Sequence, residues 1–233
     1  MNWKRRSPEK EMLDSTGNSF EEIRQNMAEL NVINRLLGGH LISCEGFRAF
    51  ARDWEVITIC EIGCGGGDNL AFIHTWAQKK GILVNCIGID INSDCISFAR
   101  EQFPQAVYLV GDYRNVVLDV QPDVIFSALF CHHFSDSELL DQVQWMKLNS
   151  RLGFFINDLH RHPLAYYAIK CLTAIFSSSR LVRNDAPVSV QRGFVRSEWE
   201  NIFRVAGFGQ VRILWKWAFR WLVIVVKKEN GDS

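Results

Sequence analysis

Apolar residues follow two alternating patterns along most of the chain. Short continuous runs of apolar and β-branched residues are typical of buried strands, and between these runs apolar residues recur at helical spacing. The runs predict seven strands, at residues 56–62, 84–90, 106–112, 122–130, 152–159, 210–217 and 220–228. Strands that alternate with helices pair in parallel, whereas the short connection between the last two runs predicts an antiparallel hairpin.

The helical stripes predict seven helices, at residues 20–37, 40–52, 68–80, 93–103, 135–149, 163–178 and 197–206. Gly38 and Gly39 end the first helix, and Ser93 or Asp94 is expected to cap the fourth. The polar run S-S-S-R-L-V-R-N-D-A-P at 177–187 predicts a loop.

These elements predict one α/β domain over residues 1–233. A helical cap over 1–52 precedes the first strand, and its first 19 residues are polar and expected to be extended. A lid insertion at 160–196 follows the fifth strand and interrupts the alternation of strands and helices.

The stretch V-I-T-I-C-E-I-G-C-G-G-G-D, from Val56 to Asp68, predicts a strand, a glycine turn and the start of a helix. This order opens the nucleotide-binding half of doubly wound α/β domains. The dinucleotide fingerprint that starts at Gly63 would require glycine where Asp68 stands, and no lysine follows the loop as a phosphate-binding P-loop requires. An acidic loop that contains Glu61 and no lysine favours a cationic cofactor without phosphate.

A second acidic residue, Asp90, ends the second predicted strand in the run I-G-I-D. Its distance from the glycine loop is close to the spacing of about 20 residues that is typical of ribose-binding acids. A carboxylate there accepts hydrogen bonds from both ribose hydroxyls.

The motifs E-I-G-C-G-G-G, G-I-D, G-D-Y and P-D-V-I-F-S-A-L-F-C-H-H-F occur in this order along the chain. With these motifs the sequence resembles the class I S-adenosylmethionine-dependent methyltransferases. The resemblance implies a Rossmann-like seven-stranded sheet, mostly parallel with an antiparallel C-terminal hairpin, and S-adenosyl-L-methionine as the cofactor. It assigns to the cofactor Glu61, Gly63, Gly65, Gly67, Asp90, Ile91, Asp112, Tyr113, Leu129 and Phe130.

Within that family the loop glycines face the methionine part, Asp90 the ribose, and Asp112 with Tyr113 the adenine. Leu129 and Phe130 would flank the sulfonium. The segments R-S-P-E, M-L-D, I-N-R-L-L-G-G and N-D-L-H-R-H-P-L-A-Y-Y look more narrowly like bacterial methyltransferases of aromatic polyketide and phenolic-lipid pathways.

Methyl transfer to a hydroxyl requires a positioned acceptor and removal of its proton. Two histidine pairs follow strand ends on the ligand side of the predicted sheet, His132 with His133 and His160 with His162. We expect His133, then His160, as the general base, with Asp158 orienting it and His132 as a further catalytic candidate. Capping or packing roles for each histidine remain the alternative.

Metal binding by these histidines and Asp158 is a second alternative, and we predict no metal. Magnesium prefers oxygen ligands, and zinc requires a tighter set of ligands.

An apolar acceptor pocket requires aromatic walls with a few polar groups. The residues expected to line it are His162, Tyr166, Tyr167 and Trp199, although helix packing explains the aromatic ones equally well. The run of arginines at 180, 183, 192 and 196 is expected to form a solvated face, with contact to an anionic substrate group or carrier as the alternative.

These features predict O-methylation of a phenolic hydroxyl. The alternatives are C-methylation of a quinone-type ring and a non-catalytic partner subunit of the same fold. The missing third glycine of the dinucleotide fingerprint disfavours a nicotinamide oxidoreductase.

Composition narrows the class of partner. Lysine plus arginine equal aspartate plus glutamate at 26 each, so no net field attracts nucleic acid or an anionic membrane. We therefore expect a small aromatic acceptor and a monomer or homodimer.

The start of the chain and its cysteines predict the compartment. The first residues lack the apolar core of a signal peptide, which predicts a cytoplasmic protein. The longest apolar runs are too short for stable membrane insertion. The seven cysteines are scattered without close pairs and are expected to be reduced thiols.

Overall fold

The computed structural model describes residues 3–15, 17–51 and 55–227. Within these ranges, seven strands form one sheet in the order β3-β2-β1-β4-β5-β7-β6. The strands are β1 (Val56–Ile62), β2 (Leu83–Asp90), β3 (Val107–Val110), β4 (Val124–Ala128), β5 (Gly153–Leu159), β6 (Arg212–Lys216) and β7 (Arg220–Val226). The first five pair in parallel, and β7 runs antiparallel to both β5 and β6. The predicted fold class is confirmed.

The helices are α1 (Phe20–Leu36), α2 (Gly39–Arg48), α3 (Asp68–Gln78), α4 (Ser93–Gln102), α5 (Asp136–Asn149), α6 (Pro163–Phe176), α7 (Arg180–Arg192) and α8 (Arg196–Val205). The predicted ends of the second helix at Arg52 and of the last strand at Lys228 lie outside the described residues. The cap of α4 is Asn92, not Ser93 or Asp94, because its Oδ1 accepts hydrogen bonds from the first backbone N–H groups of that helix.

Two apolar layers cover the sheet because successive residues of a strand point to opposite faces. On one face, Phe126 and Phe155 pack with residues of α2, α3 and α4. On the other, Ile125 and Phe154 pack with residues of α5 and α8. The sheet is therefore buried on both sides, and its carboxyl edge is the place where side chains of several strands meet.

The register places the glycine loop at the centre of that edge. Glu61 on β1 pairs with Gly88 on β2 and with Phe126 on β4. The loop after β1 is thus flanked by the ends of β2 and β4, where parallel α/β sheets hold their ligands.

The loop predicted at 177–187 is wrong, because helix α7 begins at Arg180. Ser179 caps this helix, since its Oγ accepts a hydrogen bond from the Val182 N–H at 3.3 Å. Pro187 lies inside the helix and removes one helical hydrogen bond. Burial of Leu181 and Val182 outweighs this loss.

The N-terminal segment is fixed to the domain and does not simply extend from it. Arg6 donates hydrogen bonds to the carbonyl oxygens of Arg192 and Phe134, at 2.9 and 2.6 Å. Asp185 accepts hydrogen bonds from the backbone N–H groups of Met12 and Leu13, at 2.8 and 2.9 Å. A 3-10 turn at Met12–Asp14 brings the segment back toward the sheet edge.

All seven cysteines are free, and six of them are buried.

Among the described residues, every helix is too short or too polar to span a bilayer.

Replacing Phe155 with alanine should lower the free energy of unfolding by about 3–5 kcal/mol, because its ring is fully buried against Phe126 at a centroid distance of 4.7 Å. Urea denaturation followed by circular dichroism measures this change. Phe176→Ala is the matched control, since that ring is 80% exposed and its removal should change stability little. Equal losses in the two variants would contradict this account of the core.

Candidate functional site

A cavity of about 1070 Å³ opens at the carboxyl edge of the sheet. One end lies over the glycine loop and Asp90, and the other reaches Glu11, His132 and His133. Helices α1, α6 and α7 and residues 217–220 complete its walls. A single cavity therefore joins the two groups of polar residues that the sequence singles out.

The glycine loop is shaped by its backbone. Gly63 and Gly65 have φ angles of 67° and 49°, in a region that side-chain-bearing residues rarely adopt. A Cβ on Gly63 would stand 2.2 Å from the ring of Phe130. The Gly63 N–H donates to the Ile89 carbonyl at 2.8 Å, and the Gly65 N–H donates to Asp90 Oδ2 at 2.9 Å. The loop is thereby fastened to the end of β2.

The acids at this end are buried. Burial, with Asp68 and Asp90 nearby, raises the pKa of Glu61, and its Oε2 has no hydrogen-bond partner among the described residues. Burial also raises the pKa of Asp90, against the hydrogen bonds from Gly65 and Asn92. A cationic ligand that donates hydrogen bonds would stabilise both carboxylates. These acceptors fit the ammonium and ribose hydroxyl donors of S-adenosylmethionine, and their negative charge fits its sulfonium.

A chain of hydrogen bonds crosses the cavity beside these acids. Arg220 Nη2 donates to Asn34 Oδ1 at 2.8 Å, and Asn34 Nδ2 donates to Asp68 Oδ2 at 3.2 Å. His40 Nε2 lies 2.6 Å from the same Asp68 oxygen. Burial lowers the pKa of Arg220 to about 10, although Asp158 and Asp68 oppose it. The sequence patterns do not single out Arg220, because it lies on the last strand of the chain and only the folded sheet places it at the cavity.

The remaining cofactor candidates line the same end of the cavity, with one exception. Asp112 is paired with Arg114, and Ile91 is 74% exposed at the edge of the cavity. Leu129 has a φ of 54°, which is unusual for a residue with a side chain. Gly67 lies away from the cavity as the cap of α3, where a Cβ would meet the Tyr108 hydroxyl.

Tyr113 lines the cavity but is largely buried. It packs edge-on against the rings of Phe130, Phe134 and Trp145. Only a small part of the Tyr113 ring therefore faces the cavity.

At the other end, His132 is held between two carboxylates. Its Nδ1 lies 2.7 Å from Asp158 Oδ1, and its Nε2 lies 3.2 Å from Glu11 Oε1. Burial disfavours the imidazolium, but Asp158 and Glu11 outweigh burial and raise the pKa of His132 to about 9. Burial likewise opposes ionisation of Glu11, yet His132 and His133 lower its pKa to about 2.

His133 lies beside this group, with its Nδ1 3.1 Å from Asp14 Oδ2 and its Nε2 3.7 Å from Glu11 Oε2. Arg192 fixes the backbone of the pair, because it donates to the carbonyl oxygens of His132 and His133 at 2.9 and 2.8 Å. The prediction that Arg192 is solvated is therefore wrong.

Glu11, His132 and His133 offer ligand atoms within 4.8 Å of one another, close enough to surround a metal ion. From the sequence we expected no metal. That prediction weighed Asp158 and four histidines as ligands and did not include Glu11. Asp158, however, lies 2.7 Å from Nδ1 of His132, and the two neighbouring carboxylates raise the pKa of the ring, which favours the protonated form over the neutral form that binds a metal.

The other predicted site residues lie outside the cavity walls. His160 Nδ1 accepts a hydrogen bond from Trp215 Nε1 at 3.1 Å. Burial, with His162 and Arg161 nearby, lowers the pKa of His160 to about 4. His162 caps α6 through the Leu164 N–H. Both histidines thus have the capping or packing roles that were left open.

The aromatic candidates are likewise packing or surface residues. Trp199 is fully buried against Phe194 in the core, so it cannot wall an acceptor pocket. Tyr166 packs edge-on against Trp3, and Tyr167 is 61% exposed.

Residues 59–148 match the family model described as "Methyltransferase domain". A putative methyltransferase 235L of Invertebrate iridescent virus 6 is 32% identical over 74 residues, which cover 32% of this chain and 26% of that protein. The trans-aconitate 2-methyltransferase of Afipia carboxidovorans is 32% identical over 78 residues, which cover 33% and 28% of the two chains. The matched segments thus span only about a quarter of these relatives.

Among solved structures, human N-acetylserotonin methyltransferase in complex with S-adenosylmethionine is similar over 90% of this chain and 56% of that one. The TM-score is 0.63 and the sequence identity is 18%. The fold is that of the S-adenosylmethionine-dependent methyltransferases, and the segment that matches by sequence runs from the second half of β1 through the glycine loop and β4.

We predict that His132 titrates near pH 9 in the folded protein and that Asp158→Asn lowers this midpoint. Because the folded pKa lies above the unfolded value of about 6.5, the imidazolium stabilises the fold fully below that pH. This stabilisation is lost as the pH rises through about 9. NMR titration of the ring nitrogens measures the midpoint. Asp119→Asn, on the exposed surface, is the control, and a wild-type midpoint near 6.5 would refute the assignment.

Proposed function

We propose that this chain transfers a methyl group from S-adenosylmethionine to the hydroxyl of a phenolic acceptor. The observation that carries the proposal is the single cavity, which has buried acids at one end and the Asp158–His132–Glu11 group at the other. An aromatic polyketide or a phenolic lipid is the acceptor class that the sequence motifs favour.

The cofactor end supplies binding and orientation. Glu61, whose Oε2 lacks a partner among the described residues, would accept a hydrogen bond from the ammonium group, and Asp90 would accept from the ribose hydroxyls. Bound S-adenosylmethionine supplies an electrophilic methyl group on a sulfonium. Leu129 and Phe130, directly after β4, would flank the sulfonium and leave its methyl group facing the acceptor for in-line transfer.

Proton removal is assigned to His132. Asp158 holds Nδ1, the arrangement by which a carboxylate orients a histidine base. Nε2 lies 3.2 Å from Glu11 Oε1 but makes no hydrogen bond among the described residues, so this is the nitrogen that would take the acceptor's proton. A pKa of about 9 brings this base close to a phenol, whose pKa is about 10. Asp158 contacts His132 directly, which favours His132 over His133, the first expectation from the sequence.

C-methylation of a quinone-type ring would use the same cavity and the same base. Analysis of the product by NMR distinguishes a new O-methyl from a new C-methyl group. A chain that binds no cofactor would instead support the partner-subunit alternative.

Gly65→Val should abolish binding of S-adenosylhomocysteine, because valine cannot adopt a φ of 49° without strain and its side chain would approach Met27. Isothermal titration calorimetry measures the affinity, with NAD as the negative control ligand. Gly81→Val is the matched variant, since Gly81 also has a positive φ but lies in open space away from the cavity. Tight binding to the Gly65→Val protein would overturn the cofactor site.

His132→Ala should lower kcat by about 100-fold or more on a phenolic acceptor, the range expected for loss of a general base. Affinity for S-adenosylhomocysteine should stay near normal. In the unmodified protein, kcat/KM should rise with pH toward about 9, as His132 loses its proton.

The comparison variant is His133→Ala, which should cost less activity because His133 lacks the contact with Asp158. His74→Ala, on α3 and outside the cavity, is the neutral control. A larger loss in His133→Ala than in His132→Ala would move the base assignment to His133.

A further inference from the structure

Helix α6 turns an apolar face to solvent. Tyr167, Ile175 and Phe176 on this helix are 61%, 65% and 80% exposed, and Leu172 is 40% exposed. Lys170 is the single charged residue of the helix. Isolated exposed apolar residues are ordinary, whereas a contiguous set on one element marks an interaction surface.

Helix α1 extends this face. Glu29 accepts hydrogen bonds from the backbone N–H groups of Ser178 and Ser179, just after α6 ends. The stripe of α1 that contains Glu29 therefore borders the end of α6. Val32 and Leu36 lie three and seven residues further along that stripe, and they are 55% and 78% exposed.

Both helices also contribute residues to the wall of the cavity. Leu172 of α6 and Trp217 line the cavity and are also exposed to solvent, and Ile33 and Leu37 of α1 line it next to α6. We call the exposed apolar residues of these helices, together with Trp217, the apolar rim; they are Val32, Leu36, Tyr167, Leu172, Phe176 and Trp217.

Charge around the apolar rim is mainly positive, with Glu29, whose carboxylate is hydrogen-bonded to the chain after α6, as an exception. Residues 30–44 and 160–184 contain no aspartate or glutamate. Arg35, Lys170 and Arg183 in these segments are exposed. Apolar side chains flanked by basic ones are the composition that binds anionic lipid surfaces.

We infer that the apolar rim docks on an anionic bilayer and that the methyl acceptor, an amphiphilic phenol, enters the cavity from the lipid. The inference rests on the proposed function for the identity of the acceptor. A second copy of the chain fits the surface less well, because a symmetric contact would set these basic residues against one another. The neutral net charge of the whole chain does not conflict with a local basic surface.

Vesicle sedimentation of the full chain tests the docking. The protein should bind vesicles of equal parts phosphatidylglycerol and phosphatidylcholine, and bind vesicles of phosphatidylcholine alone more weakly. The double variant Leu36→Glu with Phe176→Glu should reduce binding by about tenfold or more, because two apolar contacts become anionic. High salt should weaken the wild-type interaction.

Val117→Glu with Leu148→Glu is the matched control. Both side chains are apolar and exposed, at 84% and 72%, but they lie outside the apolar rim, so vesicle binding should be unchanged. Circular dichroism verifies that all variants are folded.

Absence of vesicle binding by the unmodified protein would overturn the inference, as would equal losses in the rim and control variants. A dimer that the rim variants dissociate, seen by analytical ultracentrifugation, would assign the surface to a second copy. Calorimetry with S-adenosylhomocysteine separates the two proposals. Cofactor binding without vesicle binding refutes the docking alone, and vesicle binding without cofactor binding refutes the proposed function.

Discussion

The buried ionic group of Asp158, His132 and Glu11 joins three distant parts of the chain. Asp158 belongs to β5, His132 follows β4, and Glu11 comes from the N-terminal segment. Each member would be costly to bury alone, because an unpaired charge in the interior loses its hydration. The shape of this end of the cavity therefore depends on all three being present. Arg192 and Ser189 extend the same group to α7.

The sequence predicted the sheet well because its information is local. The alternation of apolar runs and helical stripes, the glycine loop and the short connection before Arg220 each depend on neighbouring residues. Nine of the ten cofactor candidates line one cavity for the same reason, since they follow directly after strands that the apolar pattern reveals. Gly67 differs because a glycine motif does not tell which of its members faces the ligand and which caps a helix.

Other parts of the site depend on contacts between residues far apart in the chain, and no local pattern reports these. Glu11 is more than 100 residues from His132 in sequence, and Arg220 reaches the cavity from the last strand. Helix α7 was missed because serines and Pro187 favour a loop locally, whereas burial of Leu181 and Val182 decides the structure. Trp199 was misplaced because an aromatic residue on a helix has the same spacing in a core as in a pocket wall.

The buried acids at the glycine loop have a further consequence if the proposed cofactor binds there. Glu61 and Asp90 interact with the charge of a ligand as well as with its shape, and their burial makes that interaction strong. Methyl transfer converts a sulfonium cation into a neutral thioether. The site would therefore hold the reactant cofactor more firmly than the spent one, so electrostatics alone would favour exchange after each turnover and limit product inhibition.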